Sequence, residues 1–87
     1  MRKYLFEPTA FEDFAALGKT DYKMQEKNLA LITDAARNPF TGFGKPEPLK
    51  HGRYKGCWSR RITQEHRLVY SVSEEFILIL ACKFHYE

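Results

Sequence analysis

The spacing of the apolar residues changes near the middle of this 87-residue chain, and this change constrains the fold more than any other feature. Before residue 39, apolar side chains recur every three or four positions, which is the period of one helix face. After residue 56 the pattern changes to a period of two, which is the period of a strand. Helices followed by a run of strands predict an α+β fold. A segment unsuited to a helix separates the halves and contains Gly42, Gly44, Pro46 and Pro48.

The first half contains signals for two helices. Thr9 followed three residues later by Glu12 is a capping-box pattern, and we expect the helix it starts to end at Gly18. A second helix is predicted from residue 20 or 21 to Asn38-Pro39, because the residue before a proline disfavours the helical conformation. The apolar stripes of these helices are interpreted as core contacts: Phe11, Phe14, Leu17, Met24, Leu31, Ile32 and Ala35.

Four strands are predicted, one near the N-terminus and three in succession in the second half. They are Lys3–Phe6, Cys57–Ile62, His66–Val72 and Phe76–Tyr86. The last three are joined by short turns and therefore pair as antiparallel neighbours. The expected architecture is a single domain, residues 1–87, with the N-terminal strand and two helices packed on a twisted antiparallel sheet.

Alternation assigns the side chains of these strands to two faces. In the last strand one face is expected to form the core and carries Phe76, Leu78, Leu80, Cys82 and Phe84. The opposite face is expected to collect four basic side chains: Arg61, Arg67, Lys83 and His85. Arg60 falls on the core side, which a charged residue tolerates only near an edge or a strand end.

The net positive charge of the chain comes entirely from its second half. Residues 1–44 carry six basic and six acidic side chains, whereas residues 45–87 carry eight and five, which gives the net charge of +3. Such a surface suits phosphates or an acidic protein partner. A solvated face with no ligand is the alternative.

Two arginines are expected to face each other across the hairpin between the second and third predicted strands. If residues 63–65 form the turn, the Cβ atoms of Arg61 and Arg67 lie about 5 Å apart. Like charges in this position are destabilising, so a bound anion such as a phosphate is one explanation for the pair. A second explanation is that Glu65 or Glu47 neutralises one of the guanidiniums, and both can hold if the substrate displaces the carboxylate.

A histidine and a glutamate complete a set of groups that can move protons around a phosphate. His85 is predicted on the face of the two arginines, and Glu47 is held between two prolines that restrict its backbone. One such group can take the proton of an RNA 2′-hydroxyl while the other protonates the departing 5′ oxygen. Each also has a purely structural interpretation, and both interpretations stay open. Tyr54, Trp58 and Tyr86 could stack on bases. Parity assigns Trp58 to the core, and Tyr86 is the better candidate because it lies next to His85.

Cysteine usage and hydropathy predict a cytoplasmic protein without a metal. Cys57 and Cys82 lie far apart, which is typical of free thiols in a reducing compartment. The N-terminus lacks the apolar stretch of a signal peptide, and no segment approaches the roughly 20 apolar residues of a membrane span. His51, His66 and His85 have no metal-ligand spacing with the cysteines. We therefore expect no metal and no cofactor.

Four segments of the chain resemble the YoeB/Txe toxins of bacterial toxin–antitoxin systems, which belong to the RelE-like superfamily. The segments are Lys45-Pro46-Glu47-x-Leu49-Lys50, Gly56-x-Trp58-Ser59-Arg60-Arg61-Ile62, Glu65-His66-Arg67-Leu68-Val69-Tyr70 and Cys82-x-x-His85-Tyr86. The resemblance implies the RelE-like microbial RNase fold. It also implies a ribosome-dependent endoribonuclease that cuts mRNA in the decoding A site and stops translation.

Residue roles follow from the same resemblance. It implies that Glu47 is the general base, His85 the general acid and Arg67 the group that stabilises the transition-state phosphate. Four further residues are implied to support substrate placement: Lys50, Arg61, Glu65 and Tyr86. The loop from His51 to Lys55 is about one residue longer and more basic than is usual in the family, and the chain adds Glu87 after the His-Tyr pair.

The resemblance also implies a set of partners. These are a cognate YefM/Axe-like antitoxin, the ribosomal A site with its mRNA, operator DNA through the antitoxin complex only, and a second copy in a homodimer. Two other functions fit the same sequence. One is a toxin of the same fold that holds its target without cutting RNA, as gyrase-poisoning relatives do. The other is a basic RNA-binding module whose affinity depends strongly on salt.

Overall fold

Two helices and five strands form in the computed structural model, which describes residues 1–85. The helices are α1 (Pro8–Thr20) and α2 (Tyr22–Arg37). The strands are β1 (Lys3–Phe6), β2 (Glu47–Pro48), β3 (Trp58–Arg61), β4 (Arg67–Val72) and β5 (Phe76–Phe84). Neither helix of the described range is long and apolar enough to cross a membrane.

The first helix begins and ends differently from the prediction. It starts at Pro8, because a proline in the first turn lacks the N–H that the helix would leave unpaired, so the predicted capping box at Thr9 is wrong. The helix also continues past Gly18 to Thr20. Gly18 therefore lies inside the helix, where the nearest atom to an added Cβ would be the side-chain amide of Gln25 in α2, at 2.9 Å.

The second helix agrees with the prediction at both ends. Asp21 caps it, and one carboxylate oxygen accepts a hydrogen bond from the Met24 N–H at 3.2 Å. It ends at Arg37, immediately before Asn38-Pro39. One face of α2 is fully buried against the sheet, which explains the apolar stripe in the sequence: Leu31, Ile32, Ala35 and Ala36.

The strands form one mixed sheet in the order β1-β5-β4-β3-β2. The α+β class is confirmed, and the pairs β2–β3, β3–β4 and β4–β5 are antiparallel as expected. β1 instead pairs with β5 in parallel, from Lys3 opposite Phe76 to Phe6 opposite Ile79. Hairpin spacing determines direction only between consecutive strands, so it did not determine the direction of β1.

The core face of β5 differs from the prediction. Ile77, Ile79 and Cys82 are fully buried in the core, whereas Phe76 and Leu78 are only partly buried on the other face. The change of phase between Ile79 and Cys82 accompanies register shifts in the pairing of β4 with β5. Simple alternation fails here because a β-bulge moves every later side chain to the opposite face.

Arg60 is completely buried, one residue before the end of β3. Its Nη1 lies 2.5 Å from Asp34 of α2, and its Nε donates to the hydroxyl of Tyr70 at 3.0 Å. The remaining N–H groups donate to backbone carbonyl oxygens after α2, those of Asn38, Thr41 and Phe43. A guanidinium has five N–H donors, and five acceptors surround it. The core therefore tolerates this buried charge because every N–H group of the guanidinium has an acceptor.

The same network changes the acidity of its neighbours. Burial opposes ionisation of Asp34, but hydrogen bonds from Arg60 and from the Phe43 N–H, together with the Arg60 charge, lower the pKa of this carboxyl below its ordinary value of 3.8. Burial raises the pKa of Tyr70, and its hydroxyl donates to the Pro39 carbonyl at 2.6 Å. Asp34 is therefore ionised and Tyr70 neutral near pH 7.

We expect Arg60→Ala to lower the free energy of unfolding by about 3–5 kcal/mol, because it removes one partner of a buried ion pair and leaves Asp34 uncompensated. Urea unfolding followed by circular dichroism measures this loss. Arg61→Ala is the matched control, since Arg61 is exposed, and its effect is expected to stay within about 0.5 kcal/mol. Equal losses in the two variants would contradict a structural role for the buried arginine.

The stability contributed by Asp34 is expected to disappear in acid. A carboxyl whose pKa is lowered by folding stabilises the protein above its unfolded pKa, and this stabilisation is lost as the pH falls through the folded pKa. The difference in unfolding free energy between the wild type and Asp34→Asn should therefore narrow between neutral pH and about pH 3. A constant difference for Asp34→Asn would contradict the assignment.

Candidate active site

The hairpin between β3 and β4 places two arginines opposite each other. Arg61 and Arg67 are direct register partners, which confirms the prediction from the spacing of the turn. The turn closes with hydrogen bonds from the Ile62 and Thr63 N–H groups to the His66 carbonyl at 2.9 and 3.1 Å. Backbone pairing therefore fixes the two like charges opposite each other, where β3 ends and β4 begins.

The two-residue strand β2 brings a carboxylate to this pair. Glu47 is the register partner of Ser59 in β3, and its Oε1 accepts a hydrogen bond from Arg67 Nη2 at 3.2 Å. Arg67 Nε donates to the Ser59 hydroxyl at 3.0 Å. The Arg67 side chain is 11% exposed and that of Glu47 57% exposed. Neutralisation of one guanidinium by Glu47, which the sequence left open, is therefore present in this structure.

The histidine lies at the rim of this cluster. His85 is exposed and directly follows Phe84, the register partner of Arg67. Its ring centroid is 6.1 Å from that of His66, the residue before Arg67. His85 therefore lies next to the position of Arg67. The prediction from strand alternation that His85 shares a face with Arg67 is nevertheless wrong, because Phe84 is the residue paired with Arg67.

Lys83 does not join the cluster. Its Nζ lies 3.7 Å from Asp13 of α1, so its charge is directed toward the helix. β1 pairs with β5 only as far as Ile79, so beyond this residue α1 can approach the outer edge of β5. The expected set of four basic side chains on one face is therefore reduced to Arg61 and Arg67, with His85 beside them.

The remaining predicted site residues lie around the cluster or beyond the described range. Lys50 is exposed two residues after β2. Glu65 is exposed in the hairpin turn, where its N–H donates to the Thr63 hydroxyl at 3.2 Å. Tyr86 lies outside the described residues. Lys50 and Glu65 are thus on the surface next to the strands that carry Glu47 and Arg67.

Two residues of the site were not predicted from the sequence. Ser59 is fully buried and holds the Arg67 guanidinium. Its position two residues before Arg61 places it on the same strand face, so alternation could have identified it. His66 approaches His85, and its Nδ1 is 3.4 Å from the Thr63 hydroxyl. This neighbour depends on how the end of β5 lies against β4, which no local pattern specifies.

The cysteines do not supply a nucleophile to this site. Burial raises the pKa of Cys57, and burial together with the charge of Asp13 raises the pKa of Cys82 to about 12. Both thiols are therefore protonated at neutral pH, and a protonated thiol is a poor nucleophile and a poor metal ligand. Within residues 1–85 no group of three or more His, Cys, Asp and Glu side chains is arranged to hold a metal ion.

The cluster as a whole combines a carboxylate, two guanidiniums and an imidazole on one open surface. The guanidiniums match the shape and charge of a phosphate, because each offers parallel N–H donors. The carboxylate of Glu47 and the imidazole of His85 are both exposed, so both are accessible to a ligand bound by the guanidiniums. The geometry is thus suited to acid–base chemistry on a phosphodiester.

Comparison of the whole chain with known proteins gives consistent matches. A family model described as the YoeB-like toxin of bacterial type II toxin–antitoxin systems matches residues 6–86. The toxin YoeB of Escherichia coli strain K12 is 48% identical over 84 residues, which are 97% of this chain and 99% of that protein.

Solved structures agree with this result. The YoeB dimer from Staphylococcus aureus superposes with a TM-score of 0.89 at 44% identity, over 98% of both chains. YoeB in the heterotetrameric YoeB–YefM complex from the same organism gives a TM-score of 0.86 at 42% identity, over 99% of both chains. The RelE-like fold expected from the sequence is therefore confirmed.

The opposed arginines are expected to reduce stability at low ionic strength. Replacing Arg61 by glutamine removes the repulsion from Arg67, so the free energy of unfolding should rise by a few tenths of a kcal/mol. The gain should vanish near 1 M salt, where the screening length falls to about 3 Å. Urea unfolding at both ionic strengths measures it, and Lys27→Gln on the exposed surface of α2 is the control. A gain that is independent of salt would contradict the repulsion.

Proposed function

The chain belongs to the YoeB-like toxins of bacterial type II toxin–antitoxin systems, and on this premise we propose that it is a ribosome-dependent endoribonuclease that cleaves mRNA in the decoding A site. Cleavage there would stop translation. The observation that supports the proposal most directly is the contact between Glu47 and Arg67, opposite Arg61. A carboxylate beside two phosphate-binding groups has little use in a domain that only binds RNA.

The proposed reaction is attack of a 2′-hydroxyl on the adjacent phosphorus. Glu47 accepts the proton of the 2′-hydroxyl as the bond from 2′ oxygen to phosphorus forms. The bond from phosphorus to the 5′ oxygen breaks, and His85 donates a proton to that oxygen. The products are a 2′,3′-cyclic phosphate and a free 5′-hydroxyl. The only proton transfers are those of Glu47 and His85, and the residues require no cofactor.

Arg67 stabilises the transition state in this proposal. The phosphorane is more negatively charged and more crowded than the starting phosphodiester, so a fixed guanidinium interacts with it more strongly. Ser59 and Glu47 hold the Arg67 side chain in place before substrate arrives. Lys50, Arg61, Glu65 and Tyr86 are proposed to position the mRNA around this centre.

The openness of the site supports dependence on the ribosome. Glu47 and His85 are both exposed, and the imidazole lies at the rim beside His66. A free mRNA would have to be ordered on this surface at an entropic cost, whereas the decoding centre presents an mRNA that is already ordered. We therefore assign to the ribosome the task of placing the scissile phosphate between Arg67 and the two proton-transfer groups.

We propose two protein partners from the same premise. Relatives at 42% and 44% identity are described as a YoeB–YefM heterotetramer and a YoeB dimer. This chain is accordingly proposed to bind a YefM/Axe-like antitoxin, to form a homodimer, and to contact operator DNA only through the antitoxin complex. An A-site target places its activity in the cytoplasm.

Mapping the ends of a defined mRNA on ribosomes with an empty A site tests the proposal. With EDTA present throughout, the wild-type protein is expected to make a cut within the A-site codon and to leave a cyclic or 3′-phosphate. His85→Ala and Arg67→Ala should each reduce the rate by about 10²–10⁴-fold while the protein stays folded. Arg37→Ala, at the exposed end of α2, should cleave normally.

Each outcome of this experiment has a separate meaning. Intact mRNA with the wild-type protein would contradict the nuclease and favour a toxin of the same fold that holds its target without cutting. Cleavage that persists in His85→Ala and Arg67→Ala would support the nuclease activity but contradict the roles assigned to His85 and Arg67. Uncut RNA that is bound with a strong salt dependence would favour the plain RNA-binding module.

A further inference from the structure

A hollow beside the candidate active site is not used by the proposed reaction. It has a volume of about 290 Å³ and lies where the loop after β2 meets the end of β5. Its lining consists of Leu49, His51, Gly52, Arg53, Tyr54 and Phe84. We call it the Tyr54 hollow, because Tyr54 and Phe84 form its aromatic wall.

The aromatic wall is built by specific contacts. The rings of Tyr54 and Phe84 meet edge-to-face with centroids 5.1 Å apart. The Arg53 guanidinium lies 4.7 Å from the centre of the Tyr54 ring and donates a hydrogen bond to its hydroxyl at 2.7 Å. The Tyr54 carbonyl in turn accepts from the Cys57 N–H at 2.9 Å. An arginine and a tyrosine are therefore held together at the edge of an apolar hollow.

The hollow adjoins both proposed proton-transfer groups. Leu49 follows Glu47 by two residues, and its N–H is fixed by the Cys57 carbonyl at 2.8 Å. Phe84 is the register partner of Arg67 and directly precedes His85. The walls of the hollow are thus continuous with the strands that carry the site. A ligand held there lies next to the phosphate proposed to bind Arg67.

The chemistry of the lining favours a flat, neutral group attached to an anion. Leu49, Tyr54 and Phe84 provide apolar and aromatic surface, whereas Arg53 contributes a positive charge and His51 an imidazole ring. None of the six lining residues is a carboxylate, so the hollow does not suit a cationic ligand. Bases of single-stranded RNA stack on aromatic rings and on arginine planes, and each carries a phosphate.

We propose that the Tyr54 hollow is a nucleobase subsite for a nucleotide next to the scissile phosphate, and that Arg53 and Tyr54 determine which codons are cleaved. The inference rests on the proposed nuclease function. The volume of the hollow lies at the lower limit of small-molecule pockets, roughly 300 Å³, and this size suits a single base. An apolar side chain of an antitoxin peptide is the competing occupant, and the basic rim beside the phosphate site favours the nucleotide.

The first test compares cleavage of ribosome-bound mRNAs that differ only in the A-site codon. Tyr54→Ala is expected to lower kcat/KM for the preferred codon by about tenfold or more, through KM, and to flatten the differences between codons. Tyr54→Phe should keep the ring and most of the activity. Tyr22→Ala, an exposed tyrosine at the start of α2, is the matched control. Unchanged codon preference in Tyr54→Ala would overturn the subsite.

The second test does not depend on cleavage. Adenosine, guanosine, cytidine and uridine 3′-monophosphates are titrated into the protein, and the backbone amide shifts of residues 52–54 and 84 are followed by NMR. Shifts that differ between bases and disappear in Tyr54→Ala are expected. Identical shifts with inorganic phosphate would overturn the proposal by showing an anion site alone. Amide spectra of the variants also show whether each one is folded.

The two tests separate failure of the subsite from failure of the nuclease. If wild-type protein cuts no codon but base-dependent shifts occur, the nuclease is wrong and the base-binding hollow remains. If it cuts mRNA but Tyr54→Ala changes neither codon preference nor nucleotide binding, the subsite is wrong and the nuclease remains. Weaker antitoxin binding by Tyr54→Ala, with cleavage unchanged, would assign the hollow to the peptide.

Discussion

The buried guanidinium of Arg60 is the constraint on which the site depends. It joins α2, through Asp34, to β4, through Tyr70, and to the segment after α2, through three carbonyl oxygens. That segment packs so closely that a Cβ at Gly42 would lie 2.0 Å from the Asp34 carboxylate. Successive side chains of a strand point to opposite faces. Fixing Arg60 in the core therefore directs Ser59 and Arg61 to the other face, where Arg67 and Glu47 meet them.

Positive charge is neutralised on the core face of β3 but left in excess on its outer face. On the core face Arg60 has a full set of acceptors, among them the Asp34 carboxylate, so its charge is neutralised within the fold. On the outer face Glu47, an exposed carboxylate, pairs with Arg67, and Arg61 lies opposite Arg67. Two guanidiniums therefore adjoin one carboxylate, and the excess positive charge can attract an anionic ligand. A buried ion pair is a weak source of net stability compared with apolar packing. We infer that the role of Arg60 is to fix the geometry of β3 and the segment before it.

Local patterns in the sequence determine some of these relationships and not others. The opposition of Arg61 and Arg67 follows from a strand period of two and a short turn, which are both local. The end of α2 and its Asp21 cap are also local signals. The contact of Glu47 with Arg67 depends on a two-residue strand, which is too short to produce a pattern. The face on which Phe84 lies depends on register shifts between β4 and β5. The parallel pairing of β1 with β5 joins segments about 70 residues apart. Neither feature produces a pattern in the local sequence.

The contact between Glu47 and Arg67 also bears on how the proposed reaction would begin. In the resting protein the proposed base is held by the guanidinium that is proposed to hold the phosphate. A phosphate that binds Arg67 competes with Glu47 for the same N–H donors. Exposed ion pairs contribute only about 0–1 kcal/mol, so an oriented phosphate can displace the 57% exposed carboxylate at little cost. Ser59 keeps its bond to Arg67 Nε during the exchange, because it contacts a different nitrogen. Binding of the phosphate would therefore release the base beside the 2′-hydroxyl while the arginine stays in place.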